Sequence, residues 1–228
     1  MRDNIIVLDS IVCVWIAEDD TIGHPTRVAE GIAFCYPGGG CLMALLPELE
    51  LGWLNGWILL AFEFLIQGSL LLIFPKDVVA RLFDRTGWSV KQRVFTILGK
   101  VFSLICLVLI ILTPLKISSS TFVLGLILYA TGLVGLVLAM WNFKDTPLGQ
   151  PVTKGVYRFS RHPQIVALFF IFLGICLAIS SWAALLALVL SKLFQHYGIL
   201  AEEEVCLGQY GESYRVFMGS VPRYLLFF

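Results

Sequence analysis

Three short stretches in the last third of the chain hold side chains that could do chemistry together. The first is Arg161-His162-Pro163-Gln164, preceded by Gly155, Tyr157 and Arg158. The second is Glu202-Glu203-Glu204, and the third is Tyr210-Gly211-Glu212-Ser213-Tyr214, followed by Val221-Pro222-Arg223. Guanidinium and imidazolium groups bind carboxylates, carboxylates bind ammonium groups and hydroxyls, and tyrosine faces hold cations and flat rings. The run 164–200 between the first two stretches is mostly apolar, so a basic turn and an acidic cluster stand at the two feet of one membrane hairpin. Charges kept against a bilayer are costly and mark function by default.

Each stretch also has a plainer reading. Arg158 and Arg161 fit as positive anchors at a membrane edge, and Pro163 biases His162 toward an extended conformation just outside the next helix. The glutamates follow an apolar arm at its carboxyl end, where negative charge does not compensate the helix dipole. Side chains on a helix turn by about 100° per residue, so at most one or two of the three face a shared pocket. Tyr210, Tyr214 and Phe217 recur at helical spacing and predict an amphipathic interfacial helix ended by Pro222. Lys192, Gln195, His196 and Ile199 share one face leading to Glu202 and Glu203. Lys192 and His196 are therefore candidates for contact with a membrane-borne acceptor, with a structural Lys192–Glu63 pair as the alternative.

The elements that must position these groups follow from composition. Of 228 residues, 58% are hydrophobic and 14% charged, and the mean hydropathy is +0.87. That is an integral membrane protein. Acidic and basic residues balance at 16 each, so no global field calls for nucleic acid. The six cysteines, at 13, 35, 41, 106, 176 and 206, form no Cys-x-x-Cys pair and have no zinc spacing to a histidine, so no metal is expected.

Apolar runs at 53–74, 94–113 and 121–141 are each long enough to span, since about 20 residues cross the hydrocarbon. Pro75 and Pro114 stop the first two, while Gly125, Gly132 and Gly135 would let a neighbour approach the third. The run 164–200, interrupted at Ser180-Ser181, reads as a hairpin of 164–179 and 182–200 whose first arm is short, hence tilted, shallow or buried against protein. The expected fold class is an all-α integral membrane protein of about five transmembrane helices, including this C-terminal hairpin (164–200), followed by a cytoplasmic amphipathic helix. Lys76, Arg81, Arg85, Lys91 and Arg93 in one connection, Lys144, Lys154, Arg158 and Arg161 in another, and Arg215 and Arg223 in the tail put these segments in the cytoplasm. The chain divides into an N-terminal extension of uncertain structure (1–52), three transmembrane helices (53–141) and a catalytic region (142–228). Residues 1–42 lack the features of a signal peptide, and a natural start at Met43 is one expectation for them.

Taken in order, Gly155-x-Tyr157-x-x-x-Arg161-His162-Pro163, the hairpin, Glu202-Glu203, Tyr210-Gly211-x-x-Tyr214 and Val221-Pro222-Arg223 resemble the isoprenylcysteine carboxyl methyltransferase family of integral-membrane methyltransferases. The resemblance covers 145–224. Family members often have Tyr and Gly where this chain has Ile165 and Ala167, which puts the shape of the pocket floor in question. The resemblance implies S-adenosylmethionine as cofactor, bound on the cytoplasmic side, and a lipophilic or membrane-embedded methyl acceptor. It implies cofactor contacts from Tyr157, Arg161, His162, Pro163, Gln164, Glu202, Glu203, Tyr210 and Tyr214. In these terms Arg161 and His162 suit the cofactor carboxylate, Glu202 or Glu203 its ammonium or ribose, and the tyrosines its adenine or sulfonium. Glu203 and Arg223 are the expected catalytic residues, and Lys192, His196 and Arg223 the expected acceptor contacts. Two rivals predict different ligands: an NADPH-dependent reductase of sterol-reductase type, and a non-catalytic lipid-binding or assembly protein with no cofactor.

Overall fold

The structure is a computed structural model that describes residues 49–147 and 149–225, together with the backbone of four short strands before them. These strands, β1 (Asn4–Leu8), β2 (Val12–Ile16), β3 (Glu30–Tyr36) and β4 (Gly40–Ala44), pair antiparallel in chain order. Runs such as NIIVL and VCVWI are dense in β-branched residues, which suit a pleated ladder better than a helix. The all-α expectation therefore holds for the described residues from 49 onward and not for this extension. The expectation of a start at Met43 lies outside what the described residues address.

The helical part is built from α1 (Trp57–Ile73), α2 (Lys76–Leu82), α3 (Val90–Leu112), α4 (Ser120–Lys144), α5 (Pro163–Ala178), α6 (Trp182–Tyr210) and α7 (Glu212–Ser220), with a 3-10 turn at Gly155–Arg158. Local chemistry sets the boundaries. Helix α3 begins before the predicted residue 94 because Ser89 and Gln92 form a capping box that satisfies the first amides. Helix α1 begins after the predicted residue 53 because Asn55 is buried and donates to the carbonyls of Glu50 (2.6 Å) and Ile111 (3.0 Å), pinning the entry in an irregular turn. Ser119 and Ser181 cap α4 and α6.

Helices α3, α4 and α6 are long and apolar enough to cross a membrane, while α1 and α5 are shorter apolar helices. At 29 residues α6 extends about 43 Å, more than the ~30 Å of hydrocarbon, so the turns bearing its glutamates run past the apolar stretch. Helix α5, the short arm, packs along α4, and its Ile171, Ile175 and Cys176 are fully buried. Gly125 and Gly132 of α4 face α5 so closely that a Cβ on either would meet its backbone, whereas Gly135 makes only ordinary contact with Ala167. Helix α6 packs instead along α3, and the two arms of the predicted hairpin touch each other little. The turn between them uses Ser180 at φ 52°, held by its hydroxyl 2.8 Å from that of Thr121.

The α3–α6 seam carries a polar ladder. Ser103 and Ser191 hydroxyls lie 2.6 Å apart, Gln195 donates to both (2.9 and 2.7 Å), and Lys192 donates to Gln195 Oε1 at 3.4 Å. The alternative Lys192–Glu63 pair does not form: both carboxylate oxygens of buried Glu63 have no hydrogen-bond partner among the described residues. The reason is topological, because α1 packs on α3 and α4 rather than on α6.

At one end of the bundle the segments 49–56, 113–119 and 178–181 are joined by backbone bonds, among them Leu115 N–H to Leu54 O (2.8 Å) and Lys116 N–H to Ala178 O (2.9 Å). The other end gathers α2, the 3-10 turn, α7 and the tail. The Lys/Arg-rich segments thus meet at a single end, which is where the three motifs converge.

Candidate active site

The 3-10 turn is fixed by Gly155, whose φ of 61° suits glycine and whose Cβ position is taken by the Asn142 side chain. It delivers Tyr157 inward, 6% exposed, and burial pushes its hydroxyl well above the usual tyrosine range, so it remains a neutral donor. Three residues on, Ser160 donates to Arg223 O (3.0 Å) and accepts from His162 N–H (3.2 Å). Arg161 N–H donates to Pro222 O at 2.9 Å. The Val-Pro-Arg close and the Arg-His-Pro turn, about sixty residues apart in sequence, are therefore stitched together through their backbones. His162 caps α5 at φ −124°, ψ 59°, outside the helix as Pro163 requires, and Pro163 occupies the first helical position where its missing N–H costs nothing.

The three glutamates leave α6 in three directions. Glu204 is exposed and accepts from Gln92 Nε2 (3.1 Å) at the start of α3. Glu203, 3% exposed, is ringed by basic side chains. Arg223 donates from Nε (3.0 Å) and Nη2 (2.7 Å) to Oε2, Arg161 Nε lies 3.0 Å from Oε1, and His162 Nε2 lies 3.2 Å from Oε1. The Arg161 Nε–H is close to that carboxylate without hydrogen-bond alignment, while its Nη1 donates to Met218 O at 2.7 Å. The bonds to Glu203 push the Arg223 guanidinium above its already high range. Glu202, more open, lies 3.7 Å from Arg85 Nη1 and 3.9 Å from His162 Nδ1.

Above this cluster lies a cavity of about 370 Å³, within the size range of small-molecule sites. Arg161, His162, Gln164, Glu202, Tyr157, Tyr210 and Tyr214 all line it, so one cavity draws on all three motifs. Its floor is apolar, made by Leu71, Leu136, Met140, Ile165 and Leu168. Ile165, where the family often has Tyr, belongs to that floor, while Ala167 turns away and is buried against α4. Gln164 Nε2 is buried with no hydrogen-bond partner among the described residues, beside the Tyr157 hydroxyl.

Glu203 and Arg223 are not part of the lining; they hold each other beneath it. His196 reaches the same underside, its Nδ1 2.8 Å from the Tyr224 hydroxyl. Burial pushes that hydroxyl up to about 12, so it stays protonated and imidazole Nδ1 accepts. Lys192 lies eleven residues before Glu203, about 16 Å along α6, with Gln195 as its hydrogen-bond partner. The structure does not bring it to the cavity.

The predicted continuous helix from Tyr210 is in fact broken. Tyr210 ends α6, Gly211 turns the chain at φ 57°, ψ −129°, and α7 starts at Glu212. The break folds Tyr214, Phe217 and Val221 into a small apolar cluster against Cys206 and Leu207. It also brings the α7 carbonyl of Met218 to Arg161.

The sequence reading missed one wall. Arg81 in the last turn of α2, Asp84, Arg85, Thr86 and Trp88 from the connection after it, and Gln67 of α1 also line the cavity, with Arg85 facing Glu202. Arg81 lies over Phe143 (4.8 Å), donates to Gln150 O (2.7 Å), and thereby fastens this connection to the segment leading into the 3-10 turn. The signal was present as a cluster of Lys and Arg with a tryptophan, which the sequence reading used for orientation alone.

No match was found among curated proteins or among solved structures. Residues 117–213 match the family model described as phospholipid methyltransferase, a stretch that starts in the turn before α4 and ends in the first turn of α7. The match leaves the 81–88 wall and Arg223 outside it and takes in the cationic turn, the glutamates and the Tyr-Gly break. Over residues 117–213, then, this membrane protein is similar to the phospholipid methyltransferase family, which includes the isoprenylcysteine carboxyl methyltransferase-like membrane methyltransferases.

Proposed function

We propose that this chain transfers a methyl group from S-adenosylmethionine to a lipophilic acceptor, at a site on the cytoplasmic side of the membrane. The observation that carries the reading is the cavity itself, with a charged, aromatic rim and an apolar floor between α1, α4 and α5. The rim suits a polar zwitterionic cofactor. The floor suits an acceptor that arrives from lipid. When bound, S-adenosylmethionine supplies an electrophilic methyl group on a sulfonium.

The chain's own residues have definable tasks in this reading. Tyr157, Tyr210 and Tyr214 wall the cavity, and aromatic faces attract a sulfonium cation. Burial also drives the Tyr214 hydroxyl well above its ordinary range, so the wall adds no negative charge at neutral pH. Gln164 offers its unpartnered amide donor, and Glu202 accepts from ammonium or hydroxyl groups. Glu203 acts as a positioning residue: it holds Arg161, His162 and Arg223 in one arrangement while staying out of the cavity. A water-poor floor favours methyl transfer, because alignment and removal of the nucleophile's hydration shell lower its barrier.

The test is a titration of the purified full chain in detergent with S-adenosylhomocysteine, with NADPH in parallel. Saturable binding of S-adenosylhomocysteine at one site per chain is expected, with none of NADPH. NADPH binding alone would favour a reductase, and binding of neither would favour a non-catalytic protein.

A further inference from the structure

The cationic turn is the obvious place to seat the carboxylate of the proposed cofactor, but its guanidinium is already engaged. Arg161 is 6% exposed, with Nε 3.0 Å from Glu203 and Nη1 bonded to Met218 O. Arg223 is turned to Glu203 with both Nε and Nη2. A second arginine on the cavity wall is in the opposite condition. Arg85 is 44% exposed at its side chain, and its Nη1 is held by the Asp84 carbonyl at 2.9 Å. Its Nε and Nη2 have no hydrogen-bond partner among the described residues. Those two nitrogens form the edge that binds a carboxylate in a two-point fork.

What faces Arg85 matters as much. Glu202 Oε1 is 3.7 Å from its Nη1, too far for a hydrogen bond and close enough for an ion pair. The pair lies on the cavity wall, with the Arg85 guanidinium 4.9 Å over the Trp88 ring. An open pair of this kind is worth only about 0–1 kcal/mol, so parting it costs little. A positive and a negative group that close together, each with spare hydrogen-bonding capacity, complement an α-amino acid head, which carries one carboxylate and one ammonium.

We infer that Arg85 and Glu202 form the amino-acid subsite of the cofactor cavity, Arg85 taking the carboxylate and Glu202 the ammonium in exchange for their contact with each other. The inference rests on the functional reading above and adds a residue from outside the matched family segment. It also accounts for the position of the 81–88 wall. Arg81, bound to Gln150 O and stacked on Phe143, fixes that wall so that Arg85 stands across from α6.

The experiment compares two ligands on the purified full chain in detergent: S-adenosylhomocysteine, and its decarboxylated analogue, which keeps the amine and loses the carboxylate. Isothermal titration is run on the unaltered chain, Arg85→Met, Arg85→Lys and Glu202→Gln, each checked by thermal unfolding for retained fold. Arg85→Met is expected to weaken S-adenosylhomocysteine by about 10- to 100-fold, the size of a lost charge-assisted contact, and to leave the decarboxylated analogue unchanged. Arg85→Lys restores part of the loss, and Glu202→Gln weakens both ligands alike. Equal weakening of both ligands by Arg85→Met would show that Arg85 only shapes the wall and would overturn the assignment, as would no effect on either. If the unaltered chain binds neither ligand, the function itself is refuted and the subsite with it; binding of both with no Arg85 discrimination refutes the subsite alone.

Discussion

At the scale of single residues, the site rests on one carboxylate that is not in the cavity. Glu203 is paired with two guanidinium groups and touches an imidazole within a space almost closed to water. Removing one partner of a buried ion cluster leaves uncompensated charge and typically costs about 3–5 kcal/mol. Glu203→Gln is therefore expected to lower the unfolding temperature in detergent clearly, whereas Glu202→Gln, at an open position, should leave it almost unchanged and weaken ligand binding instead. An unchanged unfolding temperature for Glu203→Gln with lost binding would identify Glu203 as a direct ligand contact. The residues involved were legible in the sequence as three motifs. Their division of labour was not, because adjacent glutamates on a helix differ by rotation, and only the neighbours in α3, the Arg-His-Pro turn and the tail decide what each one meets.

At the scale of elements, the break between α6 and α7 puts the tail in reach of the cationic turn. Gly211 adopts φ 57°, ψ −129°, and a Cβ there would meet open space, so any cost of substitution is a backbone cost. Gly211→Ala should destabilise by about 1–3 kcal/mol and increase cleavage near the joint in limited proteolysis. Gly208→Ala, in the body of α6 and also with open space around it, should stabilise by about 0.5–1 kcal/mol. Equal effects from the two changes would remove the special role of the joint. Spacing alone had drawn one helix through Tyr210, Tyr214 and Phe217, since periodicity continues across a glycine turn that happens to preserve the facing of the rings. The starts of the five apolar helices were legible to within four residues because apolar runs are a strong signal, whereas α6 continues ten residues past the expected end at 200. Their true ends follow from Asn55 and from the Ser89–Gln92 box, which hydropathy does not register. The strands before residue 49 were missed for a related reason: runs of five residues are too short for periodicity to separate them from surrounding irregular chain.

At the scale of the whole molecule, the charged connections collect at the site end and the turn with Lys116 lies at the other. The Lys/Arg excess at the site end predicts that it faces the cytoplasm. With cysteine introduced at Lys116 or Lys154, a membrane-impermeant maleimide on intact cells should label the first, and the second only after permeabilisation. Labelling in the reverse order would place the site outside. The 81–88 wall belongs to this scale too, since a segment some seventy residues ahead of the cationic turn becomes its neighbour only when the bundle closes.

The packing of the bundle in two couples has a mechanical consequence. Helices α4 and α5 are locked by backbone-to-backbone approach at Gly125 and Gly132, and α3 and α6 by the Ser103–Ser191–Gln195 ladder, while α5 and α6 touch little. A small slide of one couple against the other would strain neither lock, and sparsely contacted seams are where proteins open first. The cavity spans that seam, drawing its floor from α4 and α5 and its glutamate from α6. A slide of this kind would change the width of the cavity, and the ion pairs of Glu203 with Arg161 and Arg223 tie α6 to the Arg-His-Pro turn and the tail across it.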